Sequence, residues 1–101
     1  MNIPEKGFYR HYKHDPDSSP YNYMYEVIGV GRNTEDKMLM VLYRPLYKNE
    51  WMAPADYNAR PLDMFMGTVE KDGKMVPRFT HLTNPDLVAE LVVVRSHMYS
   101  H

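Results

Sequence analysis

Three arginines and a lysine, Arg10, Arg60, Arg78 and Lys13, recur next to aromatic residues, among them Tyr9, Tyr12, Tyr43 and Phe79. A guanidinium is a planar fork that holds carboxylate or phosphate oxygens in pairs, and a ring beside it can stack on a base or sugar face. Arg10, Tyr12, Lys13, Tyr43, Arg60 and Arg78 are therefore the candidate ligand-binding residues, for an anionic, partly aromatic molecule such as a nucleotide. The competing reading pairs the arginines with acids such as Glu26 and Asp63 and leaves the rings to the core, because mixed-charge strands are common. A second functional class is protein recognition, in which Tyr12, Tyr47, Trp51 and Tyr57 line an aromatic groove for a proline-rich peptide. An enzyme ranks third.

Other chemistry finds little support. His11, His14 and Asp15 have mixed spacing in a strand-to-loop segment, and His97 and His101 are four apart in a possible helix. A metal site needs a third ligand and supporting hydrogen bonds, so these histidines are expected to be solvated or hydrogen-bonded, and neither metal nor cofactor is expected. None of the serines at 18, 19, 96 and 100 sits in a Gly-x-Ser-x-Gly turn, so no catalytic residue is assigned. Gly29-Val30-Gly31 lacks the third glycine of a dinucleotide-binding loop.

The composition frames these choices. At 101 residues the chain has the size of a single domain with one modest core. It has no cysteine, which removes disulfides, zinc-thiolate sites and cysteine nucleophiles together and favours a cytosolic setting. Twelve basic and 13 acidic residues leave a net charge of −1. That balance creates no overall field to attract nucleic acid, so nucleic-acid binding would require a local patch. No apolar run is long enough for a membrane span, and no secretory signal is expected at the start. Nine tyrosines suit half-buried strands and binding surfaces, while nine methionines suit an irregular core.

The elements that must position these residues are mostly strands. Residues 8–13 alternate after Gly7 as a first strand, and 14–20 are turn formers almost throughout. Residues 23–32 form a second strand, with Tyr25 and Val27 on one face and Glu26 and Ile28 on the other. Gly29 and Gly31 within it mark a bulge or tight bend. A polar connection at 33–37 leads to an apolar strand at 38–44, which Pro45 ends or places at an edge. Residues 48–58 read as a long loop, and Arg60-Pro61-Leu62 leads into a helical turn at 63–66. Asp72-Gly73 is the turn of a hairpin spanning 68–76, and 77–82 form a last strand. Asn84-Pro85-Asp86 starts a C-terminal helix whose apolar face is Leu87, Val88, Leu91, Val92 and Val94. The β-branched run 92–94 argues for a strand instead, but the start signal favours the helix.

Several short strands with turn signals at close intervals indicate a small mostly-β barrel. Gly7-Phe8-Tyr9-Arg10-His11-Tyr12-Lys13, followed by Tyr25-Glu26-Val27-Ile28-Gly29-Val30, resembles the start of a small bacterial family of unknown function. The likeness continues through Val41-Leu42-Tyr43, Leu46-Tyr47, Arg60-Pro61-Leu62-Asp63-Met64-Phe65, Gly73 and Val76-Pro77-Arg78-Phe79. This resemblance implies an SH3-like β-barrel over residues 7–82 and no established activity. The chain departs from the pattern in a longer loop at 14–22 and an expanded stretch at 48–58. The tryptophan usual before the Arg-Pro is replaced near Asn58, and a tail follows at 83–101. Loops and ends are where function changes without disturbing a fold.

Overall fold

The computed structural model describes residues 2–48 and 56–99. Five antiparallel strands form one sheet in the order β4-β3-β2-β1-β7: β1 (Gly7–His11), β2 (Met24–Arg32), β3 (Leu39–Pro45), β4 (Asn58–Pro61) and β7 (Phe79–His81). A four-residue helix, α1 (Leu62–Phe65), follows β4, and β5 (Thr68–Lys71) pairs with β6 (Lys74–Pro77) as a separate hairpin. A fifteen-residue helix, α2 (Pro85–Tyr99), ends the described chain.

Strand alternation sorts the sheet into two faces with different coverings. On one face Tyr9, Val27, Val41, Tyr43 and Phe79 meet Leu62 and Phe65 of α1. On the other, Phe8, Met24, Leu46 and Leu82 meet Leu91 of α2, with Leu87, Val88, Val92 and Val94 packed around them. The anticipated apolar face of the helix is therefore the one that docks. Asn84 caps it, with Oδ1 accepting from the N–H groups of Asp86 and Leu87 at 3.0 and 3.1 Å. Capping and burial outweigh the β-branched run at 92–94 because the apolar side chains enter one core together.

A buried ion cluster fastens α2 further. Glu26 accepts from Arg44 through Oε1 at 2.9 Å and from Arg95 through Oε2 at 2.8 Å. The Arg44 guanidinium lies 3.9 Å from the Tyr99 ring centroid, and the Tyr99 hydroxyl donates to the Pro45 carbonyl. No helix among the described residues is long and apolar enough to cross a membrane.

The glycine signal in β2 marks a real irregularity: the β2–β3 register shifts between Val27 and Gly29. Asp72 and Gly73 both have positive φ, 52° and 79°, as the two-residue turn of the β5–β6 hairpin requires. Two expectations change. Residues 58–61, read as the end of a loop and the approach to a helical turn, are an edge strand, with Asn58 and Arg60 opposite Tyr43 and Val41. The sheet also remains open: its edges are β4 and β7, and the β5–β6 hairpin pairs only with itself. The chain turns into α1 after Pro61 instead of pairing onward, and Phe65 of α1 packs on the sheet face among Tyr9, Tyr43 and Phe79. Phe65 stacks on Phe79 of β7 at 4.1 Å and lies 5.7 Å from Tyr43 of β3. Aromatic side chains thus span a gap that a hydrogen-bond ladder would span in a closed barrel.

Candidate functional site

His11 organises the cationic part of the molecule. Alternation along β1 puts it on the face of Tyr9, where its ring meets Phe79 edge-on at 4.9 Å and stacks with Tyr23 at 5.6 Å. Tyr12 tilts against it at 4.5 Å. The imidazole Nδ1 accepts the N–H of Lys13 at 3.2 Å, which leaves Nε2 as the protonated nitrogen of the neutral ring. The ring is buried, 7% exposed, between Tyr12, Tyr23 and Phe79. Burial, followed by the charges of Arg60, Lys13 and Arg78, depresses the His11 pKa to about 4. The imidazole is therefore neutral near pH 7, in the field of three cations, Arg60, Lys13 and Arg78.

Each cation is held without being neutralised. Arg60 reaches inward from β4, donating from Nε to the Tyr43 hydroxyl at 3.2 Å while its guanidinium lies 5.6 Å from the Phe79 ring centroid. Arg78 donates from Nε to the Met64 carbonyl of α1 at 3.1 Å. The Lys13 ammonium lies 6.0 Å from the Tyr12 ring centroid. Among the described residues none of the three is within ion-pair distance of a carboxylate. Glu26 serves Arg44 and Arg95 on the far face, and Asp63 accepts from the backbone N–H of Met64.

Behind the cations lies a tyrosine cluster. The Tyr25 and Tyr47 hydroxyls are hydrogen-bonded at 2.8 Å, and Tyr43 packs edge-on against Tyr25 at 5.2 Å. Burial, reinforced by the Tyr47 hydrogen bond, raises the Tyr25 pKa far above the ordinary phenol value. In front, a groove of about 530 Å³ is lined by Tyr12, Lys13, His14, Asp15, Tyr23 and Lys71, among others. Tyr23 has φ +57°, a left-handed conformation that is strained for a bulky side chain and recurs where a ligand is gripped.

The loop at 14–22 is well stitched. Asn22 is buried, donates from Nδ2 to the carbonyls of Asp15 and Ser19, and accepts the Asp15 N–H at 3.0 Å. His14 Nδ1 hydrogen-bonds the Asn22 carbonyl at 2.7 Å.

Of the candidate residues, Tyr12 and Lys13 line the groove, Arg60 lies between Tyr43 and Phe79 on the aromatic face, and Arg78 is tied to α1. Arg10 is separate: it shares its strand face with Phe8 and lines a second groove beyond Tyr12. Tyr47 belongs to the tyrosine cluster, whereas Tyr57 lies 5.9 Å from Arg44 towards the helix side. Trp51 and His101 lie outside the described residues, and His97 is exposed in the last turn of α2. His11 and Tyr23 went unassigned in the sequence. Period-two alternation from Tyr9 to His11 and from Tyr23 to Tyr25 was the available signal.

Comparison with known proteins agrees with the strand pattern. A crystal structure of a DUF1653 protein from Bordetella bronchiseptica matches with a TM-score of 0.60 and 30% sequence identity, over 79% of this chain and 92% of that one. No curated protein matches. The family model described as "Protein of unknown function (DUF1653)" matches residues 7–81, from the start of β1 to the end of β7, and the chain belongs to that family.

Proposed function

We propose that this protein is a non-catalytic binding module for a small anionic ligand of nucleotide-like character. The observation that carries the reading is that Lys13, Arg60 and Arg78, held by a ring face, the Tyr43 hydroxyl and the Met64 carbonyl, have no carboxylate partner among the described residues. Cations left beside aromatic rings without an acid attract an anion. Tyr12 and Tyr23, which line the groove with Lys13, supply ring faces for a base or sugar. The same reading keeps the architecture in the SH3-like group, with side chains of α1 completing the barrel.

A thermal-shift screen of nucleotides, sugar phosphates and carboxylates tests the proposal. A ligand present at about 100 times its Kd adds about 2.7 kcal/mol to the folded state, a readily measured rise in Tm. Arg60→Ala and Arg78→Ala should each abolish the rise while the proteins stay folded. A screen with no stabilising anion refutes the reading. Protein recognition through Trp51 predicts the opposite dependence, with a captured partner lost in Trp51→Ala and kept in Arg60→Ala.

A further inference from the structure

A groove of about 420 Å³ lies where β1, β7 and the β5–β6 hairpin meet. Its polar lining is Arg10, Lys71, His14 and Thr80, and no carboxylate is among the lining residues. Arg10 and Thr80 are directly opposite each other in the antiparallel β1–β7 pair, so they stand side by side on one face of the sheet. The Arg10 side chain is exposed and, among the described residues, has neither an ion-pair nor a hydrogen-bond partner. The Lys71 ammonium donates to the Tyr12 carbonyl at 2.8 Å, which holds it beside the end of β1 and leaves it further N–H donors. The register of the hairpin adds another cation. Lys71 is opposite Lys74 and Val69 is opposite Val76, and alternation puts all four on one face. Lys71 and Val76 line the groove, so Lys74 stands on the hairpin face turned towards it. Like charges directly opposite each other on a sheet repel, whereas Glu70, the acid of β5, alternates to the other face.

We infer that this groove is a second anion site, distinct from the one proposed above, and that it takes the phosphate group of a small phosphate monoester. A carboxylate has two oxygens, and the Arg10 fork alone uses both. A monoester offers three terminal oxygens, enough for Arg10 and Lys71 together. Its charge of about −1.5 to −2 near neutral pH suits a groove whose cations have no acid beside them. The Thr80 hydroxyl next to Arg10 is a further donor. Tyr12, Val76 and Pro77 supply the apolar lining for the organic body of the ester. The site uses neither Arg60 nor Arg78, so it stands or falls independently of the reading above.

Titration with phenyl phosphate, inorganic phosphate and benzoate, followed by calorimetry and by backbone amide NMR shifts, tests the assignment. Phenyl phosphate should bind and move the amides of Arg10, Lys71, Val76 and Thr80. Benzoate should bind about tenfold or more weaker, the loss expected of one hydrogen bond to a charged group. Inorganic phosphate should move the same amides but bind more weakly than the ester, because it leaves the apolar lining uncovered. Arg10→Gln, at an exposed strand position, should weaken phenyl phosphate about tenfold or more while the amide spectrum reports an intact fold. Lys71→Met should weaken it as well, and Thr80→Val, which keeps the branched shape in the strand, should weaken it less. Benzoate binding as tightly as phenyl phosphate, an affinity unchanged by Arg10→Gln, or no binding at millimolar ligand overturns the inference. Equal binding of inorganic phosphate and the ester overturns the monoester assignment. A loss that follows Arg60→Ala and not Arg10→Gln assigns the ester to the site proposed above and overturns this one alone.

Discussion

The depressed His11 titration makes a quantitative prediction about acid stability. An unfolded histidine takes up its proton near pH 6.5, whereas folded His11 resists protonation until about 4. Above the unfolded value the imidazole is neutral in both states and contributes no pH dependence. As pH falls from there towards 4, the unfolded chain binds a proton that the folded one does not, so stability is lost. Below 4 both states are protonated and the loss is complete. The full gap corresponds to about 3.4 kcal/mol at 1.36 kcal/mol per pH unit. Because Lys13 is exposed and Arg60 and Arg78 are only half-buried, solvent screening lowers the expected loss to about 2 kcal/mol.

Urea unfolding at a series of pH values between neutrality and 4, on the wild type and on His11→Gln, isolates this contribution. Carboxylates such as Glu26 weaken both proteins in acid, and the difference between the two curves removes that shared part. The wild type should lose about 2 kcal/mol more than the variant. Direct NMR titration of the imidazole provides a second readout, with the ring neutral down to about pH 4 and moving upward when an oxyanion binds. Superimposable pH profiles, together with an imidazole titrating at its ordinary value, would refute the burial of His11 in a positive surrounding.

Three further outcomes follow from the packing. Glu26→Gln leaves Arg44 and Arg95 facing each other without their shared carboxylate. Both guanidiniums reach water, so chemical denaturation should show a loss of about 2 kcal/mol rather than the 3–5 kcal/mol of a fully buried broken pair. Asn84→Ala removes the cap of α2 and should cost about 1 kcal/mol, with hydrogen exchange accelerating first at the start of residues 85–99. Gly73→Ala meets no atom within 4 Å but inherits φ +79°, so a loss of about 1 kcal/mol in thermal unfolding should come from the backbone alone.

What the sequence disclosed is what local chemistry decides. Asp72-Gly73 specifies its turn, Asn84-Pro85-Asp86 specifies a helix start, and Tyr25/Val27 against Glu26/Ile28 specifies the faces of β2, because each depends on residues a few positions apart. Edge strand β4 was hidden because Arg60-Pro61 reads locally as the approach to a helix, and only pairing with Val41 and Met40 makes it a strand. The open sheet was hidden for the same reason: packing of Phe65 against Tyr43 and Phe79 is a long-range event. Of the site, residue types were legible and partnership was not. Arg10 and Arg60 look alike in sequence, yet one strand parity separates them onto different sides of the sheet.

The near-neutral net charge conceals how the acids are distributed. Glu26, the buried carboxylate, pairs with both Arg44 and Arg95 where α2 docks, a place where unpaired cations would oppose burial of Leu91. Asp15, Asp36 and Asp63 accept backbone N–H groups in turns, so their charges tighten loops. These arrangements leave Lys13, Arg60 and Arg78 without an acid of their own among the described residues. A purely structural role would be served better by a carboxylate beside them, or by uncharged donors to Tyr43 and the Met64 carbonyl. Helix α2 lies outside the family match at residues 7–81, yet it takes up Glu26 of the matched part. Alternation along β2 puts Glu26 on the face where α2 docks, and its bond to Arg95 holds this buried acid there, away from Arg60 and Arg78.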